Sequence, residues 1–349
     1  MINRNLLSAV YRTHEKEIMN QVDLCDANGK LLHDSVGWSR YPMIRCNVTG
    51  HPLRKKKWNY WCVTNAKCLF SVTISNLDYA AAMFMYVLDL DTLEFEEQTV
   101  VVPFGRGCDM PDEVNASVQF AGKQMQIVFH YESGITTIRV RCENFGGKLL
   151  TAELEIHCPS DHETLNVVVP WNANRFQFTS KQNCLRTNGK LMWGDREYLF
   201  DPSDSFACLD YGRGVWKYKS TWNWGSASGM QQGRLIGITF GGRWTDGTGV
   251  TENGIVVEGK LSKLGEDMVW KYNPSDYMKP WLLETSKTDR VSLKFVPFYE
   301  RIAKTKAVII DSEVHQMIGR YYGYVVTDED EKLEIDGLVG WAEDHRARW

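Results

Sequence analysis

The chain has 349 residues, with 40 Lys plus Arg against 44 Asp plus Glu and a formal net charge of −4. That balance gives no support to a nucleic-acid binder that works by neutralising phosphates or to a polybasic membrane-surface protein. Hydrophobic residues at 43% and charged residues at 24% exclude a disordered chain. The length suits about two domains and needs no disulfide or metal staple.

The amino-terminal stretch MINRNLLSAVYRTHEKEIMNQ meets charge early and does not read as a secretory signal. Leu6, Leu7, Val10, His14 and Ile18 fall near a 3.6-residue period and predict a short leading helix. KKKW at 55–58 reads as solvated charge before a strand. The longest apolar stretch, residues 79–88, is half of the ~20 residues a spanning helix needs, so no transmembrane segment is expected. Gly105 and Gly107 lack a following helix, which excludes a phosphate loop.

Period-two alternation then dominates. Ile138, Val140 and Cys142 share one face and Arg139 and Arg141 the other; Ala152, Leu154, Ile156 and Cys158 repeat the pattern. His130 and His157 fall on such strands and read as core. DANGK, FGGK, RTNGK and TENG supply hairpin turns. Strands and turns at this spacing for nearly the whole chain predict an all-β protein of sandwich or barrel type. One barrel uses ~150 residues, so the length calls for two antiparallel β-barrels in tandem. Composition shifts near residue 200: 14 of the 28 Gly lie between Gly194 and Gly265, and seven of the 13 Trp between Trp193 and Trp281. The expected division is residues 1–200, an amino-terminal barrel with its leading helix, and 201–349, a barrel carrying the pocket.

Nine cysteines, an odd number with no Cys-x-x-Cys pair, predict reduced thiols and a cytoplasmic location. The sequons at Asn47 and Asn115 then play no part. The eight His do not cluster at metal-ligand spacing, and neither a metal nor a cofactor is expected.

The densest chemistry lies in LDYGRGVWKYKSTWNWGSASG, residues 209–229. Trp216 and Tyr218 are two apart, as are Trp222 and Trp224, so on strands each pair faces one way. With Asp210 and Arg213 beside them, they describe an apolar pocket with a few orienting polar groups. Aromatic packing and a structural Asp210–Arg213 ion pair account for the same residues. FGGRWTDGTGVTENG, residues 240–254, adds Arg243, Trp244, Asp246, Glu252 and Asn253 in a glycine-rich loop. It reads either as a ligand-approaching loop or as ordinary turn chemistry, and its acids are not spaced as a calcium loop.

Several blocks resemble one family: DANGKLLHDSVGWSRYP, KKKWNYW, DYGRGVWKYKSTWNWG, GGRWTDGTGVTENG, KPWLLE, KFVPF and IDGLVGWAEDHRARW. The chain is similar to the domain-of-unknown-function family 2804, itself distantly similar to the calycin-like carotenoid hydratases and tocopherol cyclases. The resemblance implies two tandem lipocalin-like barrels and an apolar, often isoprenoid, small molecule or lipid as ligand. It also implies an acid role for Asp210.

Two catalytic candidates follow, Asp210 and Glu252. Trp216, Tyr218, Trp222, Trp224, Arg213, Arg243, Trp244 and Asn253 are the candidate binding residues. One reading is a cofactor-independent enzyme that hydrates, isomerises or cyclises an alkene, with aromatic faces stabilising the cation. The others are a non-catalytic lipid binder and a scaffold whose barrels are filled by their own side chains.

Overall fold

The computed structural model describes residues 13–307 and 310–348. Residues 1–12, on which most of the expected leading helix falls, lie outside the described residues, and the chain from Thr13 to Ile18 is not helical. Strands are the dominant element of the described chain, beside one 3-10 turn at His33–Ser35. No helix is long and apolar enough to cross a membrane.

Two large curled antiparallel sheets dominate the molecule, beside a small parallel pair of Val22–Asp23 with Ile44–Arg45. The first is ordered Phe95–Pro103, Ala80–Asp89, Cys68–Asn76, Lys55–Thr64, Phe206–Val215, Arg175–Trp193, Lys148–His157, Ile135–Phe145, Met125–Glu132 and Val118–Ala121. The second runs Lys260–Leu264, Asn253–Val257, Arg234–Gly242, Lys219–Gln231, Lys332–Arg348, Ile310–Val326, Val291–Ala307, Trp281–Thr285 and Met268–Lys271. The chain leaves the first sheet for good between Val215 and Lys219.

Alternation decides which way each strand faces. Ile138, Val140 and Cys142 are buried, while Arg139 points outward and pairs with Glu153 on the next strand at 2.9 Å. His130 follows the same rule against expectation. Met125, Ile127 and Phe129 take the inward positions of its strand, which leaves His130 exposed beside Glu132.

Each sheet wraps its own core. The first encloses Phe129, Phe145, Phe176 and Phe178 among aliphatic residues. The second encloses Phe240, Trp281, Phe295 and Tyr321. A third set of buried side chains, including Tyr60, Tyr86, Trp224, Ile318 and Trp341, joins the two sheets at a seam. All nine cysteines are free thiols, and all but Cys158 are buried.

Candidate functional site

A cavity of about 360 Å³ opens at the seam, lined from both sheets. Its wall follows the period of two strand by strand. Trp58 and Tyr60, Thr179 and Lys181, Trp222 and Trp224, Arg301 and Ala303, and Glu343 and His345 each point in together. The opposite faces of these strands fill the two cores; Phe176 and Phe178, for example, alternate with Gln177 and Thr179.

One end of the cavity holds a buried charge cluster. Strand Arg175–Trp193 shifts register between Gln182 and Leu185, and Lys181 stands just before that irregularity. Lys181 Nζ lies 2.9 Å from Asp210 Oδ2 and 3.3 Å from Glu252 Oε2, and 4.0 Å from the centre of the Trp224 ring. Burial pushes the ammonium's pKa down, but the two carboxylates outweigh it and leave it raised. Thr179 Oγ1 donates to Asp210 Oδ1 at 3.2 Å, and Trp244 Nε1 donates to Glu252 Oε1. Burial raises the Glu252 carboxyl against the opposing pull of Lys181.

Glu343 differs from both. Trp222 Nε1 donates to its Oε1 at 3.1 Å, yet no cation forms a salt bridge with it among the described residues. Burial raises its pKa to about 7, outweighing the Trp222 hydrogen bond and the nearby Lys181. Its neighbour on the same face, His345, is pushed down to about 3 by burial and the Arg301 charge, and so is neutral. His345 Nε2 meets Ser312 Oγ at 2.9 Å, and its ring lies 3.9 Å from that of Trp222. Arg301 crosses the seam to pair with Glu97 on the first sheet at 2.6 Å.

The expected site residues divide. Asp210, Glu252, Trp216, Trp222, Trp224 and Trp244 meet at the cavity. Arg213 does not, because it is three residues from Asp210 and faces the other way. It is buried against the first core, where Nη1 donates to Trp58 O and Nη2 to Asn59 Oδ1, both at 2.9 Å. Asp210 and Arg213 therefore form no ion pair. Arg243 binds Asp344 at 3.0 Å, behind the cavity wall. Asn253 bonds Gly241 N and Glu266 O, which pins the loop it borders. Tyr218 is exposed in the link between the sheets. Lys181, Glu343 and His345 are the residues sequence reasoning missed. The signal for two of them was in WAEDHR, where Trp341, Glu343 and His345 share one strand face. Among the described residues, no group of three His, Cys, Asp or Glu is placed to hold a metal.

Fold and site together define an all-β protein of two curled half-barrel sheets with an aromatic, charge-bearing cavity at their seam. Residues 15–349 match the family described as domain of unknown function, DUF2804, and the chain belongs to that family. No curated protein matches the sequence. Among solved structures, CghA with Sch210972 is similar at a TM-score of 0.54 and 10% identity, over 85% of this chain and 89% of CghA. Kievitone hydratase from Nectria haematococca gives 0.47 at 10% identity, over 95% of this chain and 98% of that one. Likeness to CghA at this identity establishes a shared fold.

Proposed function

We propose that the chain is a cofactor-independent enzyme that protonates an apolar alkene, of isoprenoid or lipid type, bound in the seam cavity. The observation that carries this reading is the Glu343 carboxyl. It is buried and free of a salt bridge, holds its proton up to about pH 7, and lies among Trp222, Trp224 and Tyr60. The acid role expected of Asp210 passes to Glu343, because Asp210 is engaged by Lys181.

In the step proposed, the alkene π pair takes the Glu343 proton and forms a C–H bond. The positive charge left on the other carbon faces indole rings whose quadrupoles stabilise it. Water adding to that carbon gives the hydrated product and passes its proton to Asp210, from which solvent restores Glu343. Transfer of a proton from a neighbouring carbon back to the Glu343 carboxylate instead gives an isomer. Lys181 holds Asp210 and Glu252 in place, and its charge favours the Glu343 carboxylate left after transfer.

The test is incubation with an isoprenoid and polar-lipid extract, following bound species and mass together. We expect a product that has gained one water, or an isomer. Glu343→Gln should retain the bound species and lose turnover by about 10³-fold. A lipid bound without any product would leave a binding protein and end the enzyme reading.

A further inference from the structure

The cavity mouth carries apolar side chains that the fold does not need. Val101 lines the cavity and is 60% exposed, on the edge strand Phe95–Pro103. The rim beside it is the turn that carries Leu77 and Tyr79, both cavity-lining. Two loop tips flank that turn, each donating a backbone N–H to it. Phe104 N donates to Tyr79 O at 2.8 Å, and Arg54 N, next to Leu53, donates to Asp78 Oδ2 at 3.1 Å. Phe104 is 69% exposed and Leu53 is 56% exposed.

Both tips are strained as well as exposed. Leu53 has φ 62° and Phe104 φ 57°, the left-handed region that costs a bulky side chain about 1–2 kcal/mol and suits Asn or Gly. A residue strained on the backbone and solvated on the side chain gives folding nothing in return, which points to use elsewhere. The surrounding charge is positive although the whole chain is at −4. Arg54 and Arg106 sit within these two tips, and Lys55 is matched by Asp78 at 3.2 Å. Asp109 is the exposed acid that follows Arg106. Tyr218 extends the rim, 40% exposed with its ring 5.9 Å from the Arg54 guanidinium. Apolar tips with cations and a tyrosine beside them are what an interface of anionic lipid takes up.

We propose that this rim docks on an anionic lipid surface, with Leu53 and Phe104 inserted, so that the cavity draws its apolar ligand directly from the membrane. The net charge rules out a polybasic sheath over the whole protein, not a local rim of this kind. The proposal rests on the reading of the cavity as a site for apolar ligands, but docking is measured apart from ligand binding.

The experiment is co-sedimentation of the full chain with phosphatidylcholine vesicles, with and without phosphatidylglycerol. It is run on the wild type and on the double variant Leu53→Asn, Phe104→Asn. We expect wild-type binding that rises with phosphatidylglycerol and falls with salt. The variant should bind at least about tenfold more weakly. Because Asn suits the left-handed region, the variant should melt no lower than wild type, and uptake of a soluble apolar probe such as a retinoid should be unchanged. A merely structural role would lower the melting temperature instead. Wild type that stays in the supernatant with both vesicles overturns docking and leaves the cavity reading standing. So does a variant that binds equally well, or a wild-type dimer in light scattering that the variant abolishes. Loss of retinoid uptake by the wild type itself would refute the cavity reading, whatever the vesicles show.

Discussion

Inside the first sheet, Phe129, Phe145, Phe176 and Phe178 pack among aliphatic neighbours, with Arg213 buried at the margin. Across the strand at the seam, Lys181, Asp210, Glu252, Glu343 and Arg301 line a space that side chains do not fill. The same strands build both regions, since one face of Arg175–Trp193 carries Phe178 and the other Lys181. The sheets are thus stable by virtue of cores that have nothing to do with a ligand. The joint between them is free to carry buried charge, which is costly unless paired and is seldom kept for stability.

That contrast can be broken by mutation. Phe178→Ala should cost about 4 kcal/mol in denaturant unfolding, because it opens a hole in a filled core. Lys181→Met should cost about 3 kcal/mol, since Asp210 and Glu252 would stay buried without their cation. A Lys181→Met protein as stable as wild type would show that water reaches the cluster freely.

The third prediction concerns pH. Glu343 is raised from 4.5 to about 7 in the folded state, so between those values the folded chain holds a proton that the unfolded chain has released. Stability from this group is therefore full below about pH 4.5 and falls as pH rises through about 7, by on the order of 3 kcal/mol. Glu343→Gln should flatten that slope and make the protein more stable than wild type at about pH 8. Urea midpoints across the range check this, and a slope that survives the substitution assigns it elsewhere. The smallest effect is expected at the cavity wall. Phe84→Ala should cost only about 1 kcal/mol, because its ring already borders open space.

Alternation made the strands legible in the sequence, and the same rule correctly turned Trp222 and Trp224 to one face. Applied strictly, it would also have separated Asp210 from Arg213, three positions apart on the strand Phe206–Val215. Reading the two as an ion pair overlooks this, since Gly212 and Gly214 look like residues of a turn that would bring them together. Those glycines are strand positions crowded by neighbours: a Cβ on Gly212 would lie 2.2 Å from the Trp58 ring. Trp216 and Tyr218 part company for a different reason. They fall in the link between the sheets, where period two does not hold. Lys181 and Glu343 were hidden because a lone charge on a strand looks solvated until its partner strand is known. Glu343 meets Trp222 from a strand 121 residues away, a pairing no local pattern encodes.

The thiols give the seam a clock of its own. Cys62 and Cys208 face each other in register across adjacent strands and belong to the seam packing, while Cys68, Cys108 and Cys142 lie in the first core. Burial raises the Cys62 and Cys208 thiols, so an alkylating reagent reacts only when the joint opens. Labelling rates at these two sites therefore time the parting of the sheets, while those in the first core time the melting of a sheet itself. A molecule lodged at the seam would slow the first pair and leave the others untouched, which lets the protein report its own occupancy without any knowledge of what the occupant is.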